Sequence, residues 1–290
     1  MGGRRAMIHP TAIVDSKAQL GADVHVGAYA VIGPDVRLGD GCRIHHHATI
    51  EGHTVLGPRC QVYTGAVIGT PPQDRKYRGA PTRLDIGHDN IFREMVTVHP
   101  GTEAGGGVTT IGDHNLFLIG VHIAHDCRVG SRCIIANYTQ LAGHVCLEDH
   151  VNMGGMSALH HFVTVGRHAF IGGMTRVVSD VPPFMIVVAA RGTRPEIRMV
   201  NGVGLQRAGF SPEAIANLRK AFMQLYSRRA RLSGVAIRDR VESMLAQNGA
   251  DPNVEYLCKF LLRSFEIGRH GRYLEALRSD RPNPGAPSAR

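Results

Sequence analysis

The chain has 290 residues, a formal net charge of +9, 43% apolar residues, 35 glycines, 6% aromatics and no tryptophan. That composition argues against a core of large rings and for a repetitive β architecture rich in turns, and it excludes a membrane-spanning helix, since the longest apolar run, Phe184 to Ala190, falls far short of the roughly 18 residues a span needs. No apolar stretch follows the basic start Met1 to Ala6, so no secretory signal is expected and the cytoplasm is the expected location. Charge is unevenly placed: residues 191–290 hold 18 Lys/Arg against 9 Asp/Glu, whereas residues 1–190 hold 15 of each and 16 of the 17 histidines. A basic C-terminal third suits an acidic partner, whether protein, anionic lipid or nucleic acid.

Taken in order, the chain repeats. An apolar residue recurs every six positions at Ile8, Val14, Leu20, Val26, Ile32, Leu38, Ile44, Ile50, Leu56, Val62 and Ile68, often with glycine after it. Thr70 to Asp85 interrupts the run, which resumes at Ile86, Phe92 and Val98, a gap equal to three hexads. Gly101 to Thr110 interrupts it again and shifts the phase by one residue before Ile111, Phe117, Ile123 and onward to Val177. Hexads of this kind predict a parallel β-helix in which each hexad gives a strand and a turn, three strands close a coil, and neighbouring coils stack ~4.8 Å apart. General chirality rules favour right-handed crossovers; the hexapeptide repeat resembles the left-handed exception. The expected fold class is therefore mainly β, a left-handed parallel β-helix over residues 1–190, followed by a C-terminal α-helical domain over 191–280 and a disordered Pro-rich tail over 281–290.

Cys42, Cys60, Cys127 and Cys133 each fall four residues after a keyed aliphatic, in the slot that elsewhere takes Ala30, Ala48 and Ala66. They read as small buried fillers in a reducing compartment, and no CxxC spacing supports zinc. Beyond Val177 the period fails at Asp180-Val181-Pro182-Pro183. Ser211-Pro212 then predicts a capped helix through about Ser227. Others are expected over Val235 to Gln247, from Asp251-Pro252 to near Gly268, and over Tyr273 to Leu277.

One stretch of the repeat carries chemistry, Val121-His122-Ile123-Ala124-His125-Asp126-Cys127. Ile123 points inward and Cys127 fills the small slot, so His125 and Asp126 sit at an outward corner. One coil on, Gly143 and His144 stack on them, with His160 and His161 near the same edge a coil later, so that His122, His125, His144 and His160 can share one outer face. His45-His46-His47, His88, His114 and His150 most simply occupy solvated variable positions. A neutral imidazole with an ordinary pKa of ~6.5 can take a proton from a hydroxyl at neutral pH, Asp126 can orient it, and a glycine lets a backbone N–H approach an oxyanion closely. Acyl transfer to a hydroxyl fits these parts.

Further motifs are Gln73-Asp74-Arg75-Lys76-Tyr77 with Pro81-Thr82, Arg93-Glu94 through Val98-His99, Gly105-Gly106-Gly107, Leu141-Ala142-Gly143-His144, Gly154-Gly155-Met156 and Asp180-Val181-Pro182-Pro183. Together they resemble the acyl-carrier-protein:UDP-N-acetylglucosamine O-acyltransferases that begin lipid A synthesis, over nearly all of the chain from Ile8 to about Phe265. The resemblance implies His125 as general base for the sugar 3-hydroxyl, Asp126 as its support and Gly143 as oxyanion donor. It implies that Gln73, Asp74, Lys76, His99, His122, His144, His160 and His161 line the sugar and donor pocket, with Asn201 and Arg207 in the nucleotide segment. It also implies a homotrimer with sites between subunits, an acyl donor carried on the phosphopantetheine of acyl carrier protein, and neither metal nor other cofactor. An acidic carrier protein would account for the basic end without nucleic acid or stable membrane insertion. Gly173 lies where the family sets acyl length, and a side chain there, as in Gly173→Met, would shorten the preferred chain.

Three departures stand out. His161 replaces a usual Gln; Val203 and Ala208 replace a usual Glu and Arg; and Arg191 to Ile197 is rearranged, with Arg191, Arg194 and Arg198 as substitute positive charge. Alternatives are an N-acyltransferase acting on an amino-sugar nucleotide, a zinc-dependent carbonic anhydrase on the same solenoid, and a non-catalytic trimeric scaffold.

Overall fold

In the computed structural model, which describes residues 6–189, 195–246, 251–266 and 271–277, the six-residue period becomes three stacked sheets of 11, 9 and 8 strands. The first begins at Met7–Ile8, the second at Ile13–Val14 and the third at Gln19–Leu20. Successive strands rotate through the three sheets, and strands within a sheet pair in parallel with partners such as His25 and Arg43, 18 residues apart. Most strands are two residues long, one side chain in and one out, which is the origin of the single keyed aliphatic per hexad. The inward residues, among them Ile32, Ile50, Ile68, Ile123 and Leu141 of the second sheet and Ile171 of the first, are fully buried. In the first sheet Phe92 and Phe117 stack at 5.0 Å. The small slot holds the buried cysteines as expected and, at two places, asparagine: Asn115 Nδ2 donates to Asn90 Oδ1 at 3.0 Å and to the Gly130 carbonyl at 2.9 Å, so these buried amides are satisfied.

Each coil turns through left-handed corners. Non-glycine residues occupy them at φ 60° (Asp126), 64° (His144) and 65° (Phe162), a conformation costing roughly 1–2 kcal/mol per residue that ladder bonds such as His144 N–H to His125 O at 3.0 Å offset. Both interruptions of the period sit at one kind of corner, from the second sheet to the third. The first is not three hexads: Val67–Ile68 and Arg83–Ile86 are consecutive strands, and the residues between them are one corner drawn out into a loop, which lengthens that coil to 30 residues. Its in-phase return is a coincidence of length. The second loop makes a coil of 25 residues, which is the one-residue phase shift. The two loops brace each other, with Arg83 N–H donating to Gly107 O at 2.8 Å and Glu103 Oε1 accepting from the Arg78 and Ala80 amides at 3.0 and 3.1 Å.

The first sheet does not end with the hexads. Met185–Val188 extends it in parallel, and Glu196–Val200 returns antiparallel on that edge; the alternation Glu196-Ile197-Arg198-Met199-Val200 has the period of a strand, in a segment expected to be helical. Six helices follow among the described residues: α1 (Gly202–Arg207), α2 (Pro212–Tyr226), α3 (Arg228–Leu232), α4 (Ile237–Ala246), α5 (Pro252–Glu266) and α6 (Tyr273–Ala276). Ser211 caps α2 through a bond from Ala214 N–H at 3.1 Å, as its position before proline predicts. Helix α4 starts after the expected Val235 because Gly234 is left-handed and Val235 N–H is taken by Ser233 Oγ. The short α1 and α3 had no periodicity long enough to read. The tail over 281–290, Arg191, Arg194, Gln247, Gly268 and the 190/191 boundary lie outside the described residues.

The helices pack Leu205, Leu218, Leu225, Val241 and Leu257 against Phe184 and Met185 at the end of the solenoid. Polar contacts fix the seating: Tyr256 O–H donates to Glu148 Oε2 at 2.6 Å, the Arg167 guanidinium lies 3.7 Å from the centre of the Tyr256 ring, and Asp180 accepts from Thr164 N–H, Tyr273 N–H and Ser264 O–H. Burial pushes the Asp180 carboxyl up to about 6 despite those three donors.

Candidate active site

His125 and Asp126 occupy a corner from the second sheet to the third, between strands His122–Ile123 and Arg128–Val129. Because the drawn-out loops leave from the same corner, one and two coils earlier, they overhang this pair. The first brings Asp74 and Lys76; the second brings Thr102 and the glycine run, in a short 3-10 turn over Glu103–Gly105.

The carboxylate of Asp126 is the organising group. Its Oδ2 accepts from His125 Nδ1 at 2.7 Å and from the Thr102 hydroxyl at 2.7 Å, and its Oδ1 accepts from Thr102 N–H at 2.9 Å. Burial alone would raise its pKa, but the bonds from His125 and Thr102 outweigh that and hold the carboxyl below its usual value. The side chain of Asp126 is 1% exposed while that of His125 is 11% exposed, so the charge is sheltered and the ring edge reachable. With Nδ1–H committed to the carboxylate, Nε2 is the basic nitrogen; it lies 3.9 Å from Asp74 Oδ2. His144 stands at right angles to His125, ring centres 5.3 Å apart, its Nε2 3.6 Å from Asp126 Oδ2.

Glycine is required at two places here. A Cβ on Gly143 would stand 2.6 Å from His125 Cε1 and 2.8 Å from Nε2, and a Cβ on Gly105 would meet the Asp126 carboxylate at 2.0 Å. Gly106 and Gly107 then turn the chain away at φ 101° and 80°.

The remaining expected residues divide by corner. His122 and His99 are neighbours, rings 5.4 Å apart, with His122 Nδ1 sharing a 2.8 Å hydrogen bond with the Thr97 hydroxyl and His99 Nδ1 bonded to Thr70 O at 3.0 Å. Burial, reinforced by His99 and His125, pushes the His122 imidazole down to about 4. His160 and His161 stand at the same corner two coils beyond His122, followed by Phe162, whose ring stacks on His144 at 4.3 Å. Gln73 is exposed on the first loop. Gly173 is elsewhere, between the first and second sheets, where a Cβ would meet Gly155 O at 3.3 Å and no catalytic side chain. Asn201 is at a third corner and already engaged: its side chain caps α1 through Gly204 N–H at 3.2 Å and donates to His168 O at 3.0 Å, while Arg207 is exposed at the end of that helix. Within one chain, then, Gly173, Asn201 and Arg207 do not join the histidine corner. Sequence reading missed Thr102 and Phe162. The coil spacing of 18 from His144 was the available signal for Phe162; Thr102, inside an irregular loop, offered none.

His125, Asp126 and His144 carry donor atoms within 4.8 Å of one another, as do His88, Asp89 and His114. These are zinc-type donors, but in the first set Nδ1 is spent on Asp126, and in the second the Asp89 carboxylate is clasped by Arg59.

A solenoid of hexads with a buried carboxylate orienting an imidazole at its corner defines a hexapeptide-repeat transferase, and residues 17–52 and 108–143 match the profile of the bacterial transferase hexapeptide, six repeats. Residues 180–269 match domain 2 of UDP-N-acetylglucosamine O-acyltransferase. A solved UDP-N-acetylglucosamine acyltransferase is 37% identical over 88% of this chain and 95% of its own, with a TM-score of 0.81. The Bacteroides fragilis enzyme is 34% identical over 88% and 97% at a TM-score of 0.82, and the Arabidopsis one 33% identical over 91% and 99% at 0.80. The chain belongs to the UDP-N-acetylglucosamine O-acyltransferase family.

Proposed function

We propose that the protein transfers a 3-hydroxyacyl chain from acyl carrier protein to the 3-hydroxyl of UDP-N-acetylglucosamine, the first step of lipid A synthesis. The observation that carries the mechanism is the 2.7 Å bond from His125 Nδ1 to a buried carboxylate, which leaves Nε2 as a base on the pocket side. Nε2 takes the proton of the sugar hydroxyl as its oxygen attacks the thioester carbonyl. The tetrahedral oxyanion is met by the Gly143 N–H. Collapse breaks the C–S bond, and the departing pantetheine sulfur recovers the proton from Nε2. Asp126 stays ionised and stabilises the imidazolium between these steps.

Asp74 and Lys76 hold the sugar nucleotide with His122, His144 and His160. Gln73, His99, His161, Asn201 and Arg207 contribute around it, and Gly173 leaves room for a long acyl chain. A homotrimer in the cytoplasm brings the corner of one solenoid against the face of the next, which would unite the residues of separate corners. The acidic carrier protein meets the basic C-terminal third, with 18 Lys/Arg against 9 Asp/Glu. No metal takes part.

The test is a mass-resolved assay with 3-hydroxyacyl carrier proteins and UDP-N-acetylglucosamine, run beside His125→Ala. Acyl-sugar product that vanishes in the variant is expected. Undiminished product from the variant, product only with a 3-amino sugar nucleotide, or stoichiometric zinc required for turnover would each refute the proposal.

A further inference from the structure

The family match ends at residue 269, yet Gly271–Leu277 beyond it returns to the catalytic corner. Its anchor is the rung after Phe162 in the column Asp126, His144, Phe162, Asp180. Asp180 N–H donates to Gly271 O at 2.7 Å, Tyr273 N–H donates to Asp180 Oδ2 at 2.9 Å, and the Arg272 guanidinium donates to Val178 O at 2.7 Å while held by Glu275. From this anchor Leu274 and Leu277 reach the pocket, where with Arg128 and Phe162 they line a cavity of about 430 Å³ that also contains Asp126 and His144. Neither leucine belongs to the solenoid core or the helical core; Leu277 is 55% exposed. Apolar surface is thus held beside Asp126 and His144, outside both hydrophobic cores.

We infer that Gly271–Leu277 is the donor-side wall of the pocket, and that Leu274 and Leu277 seat the gem-dimethyl branch of the phosphopantetheine arm that presents the thioester to His125. The inference rests on the acyl-transfer reading above. Two features favour the arm over the sugar nucleotide, and a third serves it without distinguishing the two. Hydroxyl-bearing substrate suits the Asp74, Lys76 and Thr102 side, whereas two leucines offer a sugar no hydrogen bonds. One face of Phe162 is covered by His144 at 4.3 Å, which closes that face to stacking with a base. Arg128, exposed beside the leucines, supplies a guanidinium for a phosphate at the far end of the arm. The arm carries a gem-dimethyl branch directly beside its phosphate, and two leucines next to a guanidinium match that pairing.

The test compares binding of holo-carrier protein, which bears the arm, with apo-carrier protein, which lacks it, by calorimetry on the full-length enzyme. Wild type should bind the holo form more tightly. Leu274→Ala/Leu277→Ala, which keeps good helix formers and leaves the anchor intact, should weaken holo binding about tenfold, with apo binding and the KM for the sugar nucleotide changed less than about twofold. Leu277→Ala alone, at an exposed position, should give roughly threefold. An unchanged ratio of holo to apo affinity in both variants, equal loss for both forms, no discrimination by wild type, or a rise confined to the sugar KM would overturn the inference. Because the ratio needs no turnover, a wild-type enzyme that forms no acyl-sugar would defeat the reading above and leave this measurement decisive for the wall.

Discussion

Replacing Gly143 with alanine adds one carbon directly against the proposed base. The new Cβ would stand 2.6 Å from His125 Cε1 and 2.8 Å from Nε2, whereas carbon atoms rest at ~3.5 Å or more, so the ring must retreat by roughly 1 Å. Its Nδ1 is tied to a carboxylate that Thr102 holds from two sides, so the ring cannot move without stretching the 2.7 Å bond. A ring forced off its rotamer costs ~0.5–1.5 kcal/mol, and a weakened bond to a charged group costs ~1.5–3 kcal/mol. A displacement of that size at the reacting atom can lower turnover about a hundredfold. The fold should survive, because the φ of Gly143 is one that ordinary residues adopt. Steady-state kcat and KM, with thermal unfolding on the same sample, check this: kcat should fall by ~10²-fold with Tm down by only a few degrees. A kcat within threefold of wild type would refute the idea that Gly143 sets the position of His125.

Asp126→Asn should lower kcat by ~10²–10⁴-fold, because the amide no longer stabilises an imidazolium; full activity would remove Asp126 from the mechanism. Since its native pKa is depressed, the stability that Asp126 lends is present above the unfolded value near 3.8 and is lost as pH falls through the lower native one. The Tm advantage of wild type over Asp126→Asn should therefore shrink below about pH 4 in a thermal-denaturation series. Asp180 behaves oppositely: its native pKa is raised to about 6, so its contribution is fully present below 3.8 and fades as pH rises through 6. Asp180→Asn should gain on wild type by up to ~2–3 kcal/mol between pH 4 and pH 8 in urea unfolding, and a constant difference would contradict that. His122 should titrate near 4 in ring-carbon NMR and be neutral at pH 7; a midpoint near 6.5 would mean its burial is not kept in solution.

How much of this was legible depends on range. The hexad gave three sheets, the inward column and the stacking of Gly143 on His125, because a solenoid residue touches only its own coil and the next. Irregular loops carry no period, so Thr102, which fixes Asp126 from 24 residues earlier in the chain, could not be read. The 18-residue gap before Ile86 shows the hazard of counting: a loop of matching length imitates whole hexads. Asn201, expected in the nucleotide segment, also caps α1 through Gly204 N–H, a role hidden in the sequence because the six-residue, glycine-rich α1 has no apolar period to announce it.

The corner geometry also sets the grain with which such an enzyme can measure a substrate. Equivalent positions on successive coils are ~4.8 Å apart, so a contact moved from one rung to the next shifts by several methylene lengths at once. Changes within a rung, a glycine exchanged for a longer side chain, supply the finer gradations. Length selectivity in this architecture is therefore digital between coils and analogue within them, and a shift of a single methylene should come from one side chain on a fixed rung.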